Sequence, residues 1–457
     1  MRIGLPLILI LLCVPPAAAA QDSDLDFIPK TIPDDPAGTT PHGHNVYLEN
    51  VIVADALRQT IVPLPPPPPP VWEERLFLDM RRQWVFDPTF SITLSDRFNF
   101  RAENDIVPPS HETIRNDFRE GYASWEFASS TYLDVGRINV KTGVAAGFNP
   151  TDFFKTRAVV EPLSADPSAL REDRLGTVMT LIQHDWNAGA ATVAFAPGFR
   201  SPTPIYTATS LPSFNPMFDR TNAQDRWLAK GSMDLGSDFS PEVVYYREGD
   251  RSHYGANLTH GVGQSTVVYA EWAGGERASL IADAMAYGRN TGTIPSTAPN
   301  ALAFDPNRHF KNDLAVGLSY ATSTKITFNV EYDYHQAGFS QGDWDQWFQA
   351  GAARVAVSAE LWFIRDYAAE QQEPAGEHSL FLRADWMDAM VRNLEITGFI
   401  NTDVHDGSSL AQVTASYYVS RAWTVEAVAA ATLGSKNSNF GSLPTAATFL
   451  LKMARYF

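Results

Sequence analysis

Residues 325–334 alternate strictly between apolar and polar side chains, and this pattern constrains the fold more than any other feature of the chain. Successive side chains of a β-strand point to opposite faces, so the segment predicts a strand with one apolar face and one charged face. The apolar row is Ile326, Phe328, Val330, Tyr332 and Tyr334, and the polar row is Lys325, Thr327, Asn329, Glu331 and Asp333. A soluble sandwich rarely needs such a charged inner row, whereas a membrane strand faces lipid on one side and a lumen on the other.

The same alternation recurs along the chain, in apolar rows that start at Phe90, Leu314, Val355, Leu380 and Val413. Strands in a bilayer satisfy all their backbone hydrogen bonds only when the sheet is closed. The sequence therefore predicts an all-β fold, a transmembrane antiparallel β-barrel of about 18 strands with a proline-rich N-terminal arm.

Aromatic residues support a membrane location for these strands. Tyr and Trp cluster near the ends of the alternating segments, where amphipathic rings favour the interface between lipid and water. Examples are Trp84, Trp186, Tyr245, Tyr418 and Trp423.

The first twenty residues have the composition of a cleaved secretory signal peptide. Arg2 precedes an apolar run that is shorter than the stretch of about 20 residues required to span a bilayer as a helix. Four alanines end this run, and we expect cleavage after Ala20. Cys13 is the only cysteine of the chain, so the mature protein has no disulfide, thiolate metal site or cysteine nucleophile.

Three regions follow from this pattern: a signal peptide at residues 1–20, a proline-rich periplasmic or lumenal arm at 21–74 and an outer-membrane β-barrel at 75–457. The arm ends in six consecutive prolines, Pro65 to Pro70, which favour a stiff polyproline II spacer.

The order of turns and loops leaves one conflict open. Short connections near Pro88, Ser129, Thr322 and Ser420 predict periplasmic turns, and residues 143–170, 200–224 and 274–308 predict outer loops. The strand 75–86 would then start at the outer side and run inward, which conflicts with a preceding arm that lies in the periplasm. Three explanations remain: a strand hidden within residues 46–62, a segment 75–86 outside the wall, or an arm that plugs the lumen.

The carboxyl terminus resembles the closing strand of bacterial outer-membrane proteins. Phe449, Leu451, Met453 and the terminal Phe457 share one face of an amphipathic strand, although Arg455 interrupts their row. The resemblance implies recognition of this strand by the barrel-assembly machinery.

Residues 134–176 resemble a segment found in several porin-like families of outer-membrane barrels, including alginate-export channels. The resemblance rests on Gly136-Arg137, Asn149-Pro150-Thr151-Asp152 and Arg171-Glu172, while Thr142 stands where those families usually carry tryptophan. It implies a long loop between strands that carries charges of both signs.

Two interpretations of these charges remain open. They form a constriction that aligns a polar solute between opposing charges, or they attach the loop to the inner wall. Arg137 falls on the apolar face of its strand, so a bulge or the membrane boundary is expected near Gly136. The candidate substrate-binding or constriction residues are Arg137, Lys141, Asn149, Asp152, Lys155, Arg157, Arg171, Glu172 and Arg174, beside further loop acids such as Asp166 and Asp173.

The chain carries no nucleotide-binding or nucleophile-elbow signature, and its histidines lack metal-ligand spacing. Its formal net charge of −17 disfavours nucleic acid as a partner. The aromatic-acidic segment 343–348 is either a sugar-stacking loop or an interfacial outer loop. We therefore expect no enzyme activity, no cofactor and no resident metal.

Together these features predict a bacterial outer-membrane channel or export porin. It would move a polar, carbohydrate or partner-delivered small molecule, with the outer-membrane lipid as its environment. A periplasmic transport partner would be met by the N-terminal arm. The alternatives are an outer-membrane hydrolase and a non-conducting structural or adhesive barrel.

Overall fold

The computed structural model describes residues 44–65, 69–103, 112–160, 162–205, 214–236 and 238–457, which form eighteen strands of one antiparallel sheet. The strands are β1 (His44–Leu57), β2 (Trp72–Asp87), β3 (Phe90–Glu103), β4 (Glu112–Ala128), β5 (Thr131–Ile138), β6 (Thr177–Trp186), β7 (Gly189–Ala196), β8 (Arg226–Met233), β9 (Phe239–Glu248), β10 (Arg251–Val262), β11 (Thr266–Arg277), β12 (His309–Ala321), β13 (Ile326–His335), β14 (His378–Trp386), β15 (Leu394–Asp403), β16 (Ser409–Ser420), β17 (Trp423–Leu433) and β18 (Thr445–Tyr456). The signal peptide predicted for residues 1–20 lies outside the described residues.

The sheet closes through β1, which pairs with β18 on one side and with β2 on the other. Val53 lies opposite Leu450 in the first ladder and opposite Glu73 in the second. A closed sheet has no unpaired edge, which is the condition for a β-structure in a bilayer. The predicted all-β antiparallel barrel of about 18 strands is confirmed.

Strand β1 corrects the predicted boundary between arm and barrel. The wall begins at His44 rather than at residue 75, so the hidden strand is the correct explanation of the conflict in strand order. The sequence pattern missed it because Val51 and Val53 point inward and are buried, while Leu48 and Ile52 occupy the opposite face. Apolar residues on both faces weaken the period-two signal.

The outer face of the wall is apolar. Leu318, Val330, Leu382 and Ile400 are cross-strand neighbours on β12 to β15, and each remains about 40% exposed. An exposed apolar row that continues from strand to strand fits contact with lipid and not with water. The predicted alternation of residues 325–334 is confirmed, because Glu331 and its inward neighbours are buried on the opposite face.

The two ends of the barrel differ in their connections. We call the end that carries the short turns after the even-numbered strands, including those at Pro88 and Ser129, the turn end. The chain's last residue also lies there, because β1 starts beside the end of β18. The long connections 139–176, 197–225, 278–308 and 336–377 all lie at the opposite end, which we call the loop end. The predicted turns and outer loops agree with this division, except that residues 274–277 still belong to β11.

The loops carry five α-helices in the described part of the chain: α1 (Pro167–Glu172), α2 (Phe218–Thr221), α3 (Leu280–Asn290), α4 (Gln341–Ala353) and α5 (Ser358–Gln371). Helices α3, α4 and α5 build a hydrophobic core at the loop end, around buried Met285, Trp347 and Ile364. Val62 of the β1–β2 connection joins this core, and the Pro63 carbonyl accepts a 3.1 Å hydrogen bond from Trp362. The segment just before the proline run therefore packs on the loop-end helices.

Helix α5 corrects the strand predicted for residues 355–363. Leu361, Trp362, Phe363 and Ile364 are all buried, so the segment presents apolar side chains in every direction and packs within the loop-end core. Consecutive burial fits a helix surrounded by other elements and not a strand with one lipid face. The short length of the alternating stretch hid this difference.

Helix α4 likewise corrects both interpretations of residues 343–348, the sugar-stacking loop and the interfacial outer loop. Ser340 caps the helix: its hydroxyl accepts from the Asp343 amide, and the Asp343 carboxylate accepts from the Ser340 amide. Trp344 and Trp347 point into the loop-end core and are buried, so neither ring offers a sugar-stacking surface.

None of the described helices is both long and apolar enough to span a membrane.

The position of β1 gives a direct test by deletion. Removing residues 21–43 leaves the described wall complete, and we expect a folded barrel. Removing residues 21–70 also deletes β1, and its two neighbours β18 and β2 then meet in parallel, so the antiparallel sheet cannot close. Heat-modifiable migration in SDS gels should persist in the first variant and disappear in the second. A folded barrel after the longer deletion would contradict the assigned wall.

Candidate functional site

The β5–β6 connection, residues 139–176, folds into the lumen, and we call it the lumen loop. Its backbone approaches inward-facing side chains on distant strands of the wall. Two fully buried carboxylates, Glu271 on β11 and Glu331 on β13, hold it there.

Glu271 binds the start and the end of one turn of the lumen loop. Its Oε2 accepts from the amides of Val144 and Ala145 at 2.7 and 3.0 Å. Its Oε1 accepts from the amide and hydroxyl of Thr151 at 2.7 and 2.9 Å. Four donors therefore satisfy this buried carboxylate without a cationic partner.

Glu331 binds the loop residues between Ala145 and Thr151. Its two oxygens accept from the amides of Ala146, Gly147 and Phe148 at 2.6 to 2.9 Å. The Tyr269 hydroxyl donates a further bond of 2.8 Å. The lumen loop thus presents successive backbone N–H groups to two wall carboxylates.

Two glycines permit this close approach. Gly143 has a φ of +88°, and a Cβ there would lie 2.6 Å from a Glu271 oxygen. A Cβ on Gly147 would lie 2.7 Å from the ring of Phe381. Any side chain at either position would push the lumen loop off the wall.

Further along, the lumen loop binds a second sector of the wall. Arg383 of β14 pairs with Asp166 at 2.6 Å, and the Gln412 side chain on β16 accepts from the Ala165 amide at 3.1 Å. These contacts fix the part of the loop that leads into α1.

The third sector is the wall formed by β2, β3 and β4, where ion pairs between side chains join a backbone bond from the Gly176 amide to the Arg119 carbonyl. Asp173 of the lumen loop lies 3.1 Å from a nitrogen of Arg97 and 3.4 Å from one of Arg119. Asp79 of β2 binds both arginines from the wall side. Arg115 pairs with its strand neighbour Asp117.

A cavity remains between this wall and the lumen loop. Its lining includes Arg97, Arg115 and Arg119 from the wall and Val160, Leu163 and Asp173 from the loop. The cavity lies where Asp173 holds the loop through side-chain ion pairs, while the loop backbone reaches this wall only at its end, where the Gly176 amide donates to the Arg119 carbonyl at 2.8 Å.

Five of the nine predicted site residues form one network inside the lumen loop. Arg174 pairs with Asp152 at 2.6 Å, and Arg171 donates to the Asn149 side chain at 2.8 Å. Lys155 donates to the Asn149 carbonyl at 2.6 Å. Burial lowers the pKa of Lys155 against the opposing effect of nearby carboxylates. These contacts join residues of the lumen loop to one another and not to the wall.

Arg157 and Arg137 lie apart from that network. Arg157 donates to the carbonyls of Asp219 and Thr203 and so ties the lumen loop to the β7–β8 connection. Arg137 is buried on β5, on the apolar face as predicted, and donates to the carbonyls of Gly176 and Pro216. Neither residue lines the cavity described above.

Lys141 and Glu172 form the remaining pair, 2.5 Å apart and exposed at the glutamate. Of the nine candidates, only Glu172 is exposed, and six are buried. The geometry therefore accords with the attachment interpretation, while a direct role in a constriction stays a prediction.

An ionic cluster ties the end of the fourth long connection to the wall. Arg277 binds Glu373 through both oxygens at 2.8 and 2.9 Å, and His335 lies 3.6 Å from the same carboxylate. Burial alone would raise the pKa of Glu373, but Arg277, His335 and Lys155 together hold it at about 2. Glu373 is therefore ionised at every physiological pH.

Sequence reasoning missed the wall arginines and both loop-binding glutamates as site residues. Glu331 stood in the predicted polar row, but nothing in that row indicated that backbone amides of a distant loop would bind it. On β3 the alternation continues through Phe98 and Phe100, which would have placed Arg97 in the lumen. On β4 an irregularity opposite Ser95 and Asp96 shifts the phase and hides the inward row.

Comparisons with known proteins bear on the fold. No protein-family profile matches the chain, and no curated protein matches it. Among solved structures, Pseudomonas aeruginosa OccK3 (OpdO) is 12% identical, with a TM-score of 0.50 over 91% of this chain and 95% of that one. The outer membrane protein opdK of the same species is 9% identical (TM-score 0.46; 91% and 98% covered), and Acinetobacter baumannii OccAB3 is 10% identical (TM-score 0.46; 91% and 98% covered).

The likeness to OccK3 supports the barrel fold of this chain. The alginate-export resemblance of residues 134–176 is not among these similarities and stays a prediction.

The buried carboxylates can be tested one at a time. Glu331→Gln replaces an oxygen acceptor by an amide donor that faces backbone N–H groups, and we expect it to destabilise the attached turn by about 3 kcal/mol. Amide hydrogen exchange of residues 144–148 should then accelerate about a hundredfold. Glu395→Gln on β15 is the matched control, because that carboxylate accepts from Tyr418 of the next strand. Equal exchange in both variants would show that Glu331 does not hold the loop.

Proposed function

We propose that this chain is an outer-membrane channel for small polar solutes, and that solute passes between the lumen loop and the β2–β4 wall. The observation that carries the proposal is a cavity of about 20 Å³ at this place, room for about one water molecule, with Arg97, Arg115 and Arg119 on one side and Asp173 on the other. When the Asp173 side chain moves away from Arg97 and Arg119, this arginine-lined gap would widen into a polar route through an apolar barrier.

The way the lumen loop is attached supports this path. At β11 and β13 the loop backbone is bonded directly to buried carboxylates, so no solute can pass there without breaking several hydrogen bonds. At β3 and β4 the contacts are side-chain ion pairs through Asp173, apart from one backbone bond at the very end of the loop, from Gly176 to Arg119. Long side chains change rotamer far more readily than a bonded backbone moves, so the passage opens on this side.

The charges of the gap suggest how a solute is held. Guanidinium groups bind carboxylates and phosphates through paired hydrogen bonds. A solute with an anionic group would compete with Asp173 for Arg97 and Arg119, while its apolar part would contact Leu163 and Phe77. We therefore infer a small polar solute with at least one negative group.

The orientation follows from the two ends of the barrel. In bacterial barrels the short turns face the periplasm and the long loops face outward. The turn end, which also carries Phe457, is then periplasmic, in agreement with the signal peptide and with the proposed recognition of the closing strand by the barrel-assembly machinery. The described part of the proline run lies at the loop end, so a periplasmic partner would have to bind residues before His44.

Transport rather than catalysis is proposed for the lumen. An outer-membrane hydrolase would show ester or peptide hydrolysis that a single histidine substitution removes, without conductance. A structural or adhesive barrel would show neither conductance nor hydrolysis.

Ion selectivity tests the proposed path. Arg115→Gln removes a positive charge from the gap, which changes the energy of a nearby ion by about 1 kcal/mol even at the dielectric constant of water. In planar bilayers under a KCl gradient, we expect the anion-to-cation permeability ratio to fall about fivefold.

Arg247→Gln is the control with the same change of charge. Arg247 is exposed on β9 and donates to the nearby Gly249 carbonyl, outside the gap. An unchanged permeability ratio in Arg115→Gln, or the same fall in the control, would contradict passage along the β2–β4 wall. A complete lack of conductance in the unaltered protein would contradict the channel itself.

A further inference from the structure

Three side chains with metal-binding chemistry meet on the loop end of the barrel, away from the lumen loop. They are Glu377, His378 and His405, and their ligand atoms all lie within 4.8 Å of one another. Glu377 and His378 are half-buried and His405 is exposed, so the group is accessible from outside.

Local backbone structure brings the two histidines together. His378 opens β14, and its carbonyl accepts a 3.0 Å bond from Val404 in the β15–β16 turn. The Asp403 side chain accepts from the His405 amide at 2.9 Å and fixes that turn. The two imidazole rings consequently lie 5.0 Å apart, and His405 Nε2 is 3.8 Å from the Glu377 carboxylate.

A second layer of contacts orients His378. Its Nδ1 lies 2.6 Å from the Tyr332 hydroxyl, and its ring stacks on Tyr334 at 5.0 Å. When the Nδ1–H of a histidine donates to an oxygen, Nε2 keeps its lone pair for a metal, and most metal-binding histidines have such a partner. The two tyrosines therefore hold the ring in one orientation, and in the tautomer whose Nδ1–H donates to Tyr332 the Nε2 lone pair is available to a metal.

We propose that Glu377, His378 and His405 form a site for a divalent transition-metal ion, and that zinc is the ion it prefers among those tested below. Two imidazoles and one carboxylate form a donor set suited to zinc, whereas magnesium and calcium prefer oxygen ligands alone. Three protein ligands leave one tetrahedral position to water.

The geometry requires only a small contraction. Zinc bonds of about 2.0 to 2.1 Å place tetrahedral donors about 3.4 Å apart. His405 lies in an exposed turn and can supply this movement, while His378 is held between its tyrosine neighbours.

Zinc at this site would connect the end of the 336–377 connection to the β15–β16 turn. That connection carries α4 and α5, and it is already joined near both ends by the bridge between Phe339 and Gly376. Binding would therefore fasten the helices of the loop-end core to the wall and raise the thermal stability of the folded protein.

The test uses the full, untagged chain, purified in detergent without metal. All variants carry His42→Ala, because His42-Gly43-His44 offers a second pair of imidazoles. Titration calorimetry with ZnCl2 should give one site per chain, with no comparable binding of Mg²⁺ or Ca²⁺. Cobalt in place of zinc should give the visible absorption of a tetrahedral complex, and zinc should raise the melting temperature.

His405→Ala and Glu377→Gln should each weaken zinc binding by more than about tenfold, and Tyr332→Phe by about tenfold, since loss of an outer partner has effects of that size. His260→Ala, at an exposed position near the turn end of β10, should change nothing. Heat-modifiable migration checks that each variant folds. Zinc affinity that is unchanged in His405→Ala, or zinc binding no tighter than calcium binding, would overturn the proposal.

Discussion

The architecture of the lumen depends on two buried carboxylates that bind backbone amides instead of cations. Glu271 and Glu331 are both fully buried, and removing a carboxylate from water is costly unless its oxygens are satisfied. A turn of the lumen loop supplies the donors, from Val144 to Thr151. Wall and loop therefore stabilise each other. Without the loop, the wall carboxylates would lose their donors, and without the wall, the loop amides would lose their acceptors.

The attached lumen loop in turn contacts other loops at the loop end. The Arg157 amide donates to a carbonyl of α5, and its guanidinium reaches the β7–β8 connection, so the lumen loop supports two other loops. Arg365 of α5 lies over Trp344 and Trp347 and donates to the β17–β18 connection, and burial lowers its pKa to about 10. At the β2–β4 wall, by contrast, the loop is held mainly by the side-chain ion pairs of Asp173.

The sequence predicted the barrel well because the alternation of apolar and polar residues is a local pattern that recurs along the chain. The alternation around Val330 recurs in many strands, and each copy reports which face meets lipid. Strand β1 was missed because its valines face inward beneath the lumen loop, and α5 was mistaken for a strand because its consecutive apolar residues, including Leu361, occur in a short alternating stretch. The candidate site was only partly predictable: the loop and its charges could be identified, but the strands that bind it depend on contacts across the barrel, such as Glu271 with Thr151, that no local pattern contains.

The central claim is that solute passes between the lumen loop and the arginine-bearing wall. Cys13 is the only cysteine of the chain and belongs to the predicted signal peptide, so a cysteine introduced as Arg119→Cys can be modified alone. The most direct measurement is single-channel current while a charged thiol reagent is added to this variant. A passage along the β2–β4 wall predicts a stepwise fall in current as each channel is modified. Complete modification by mass spectrometry with an unchanged current would contradict it.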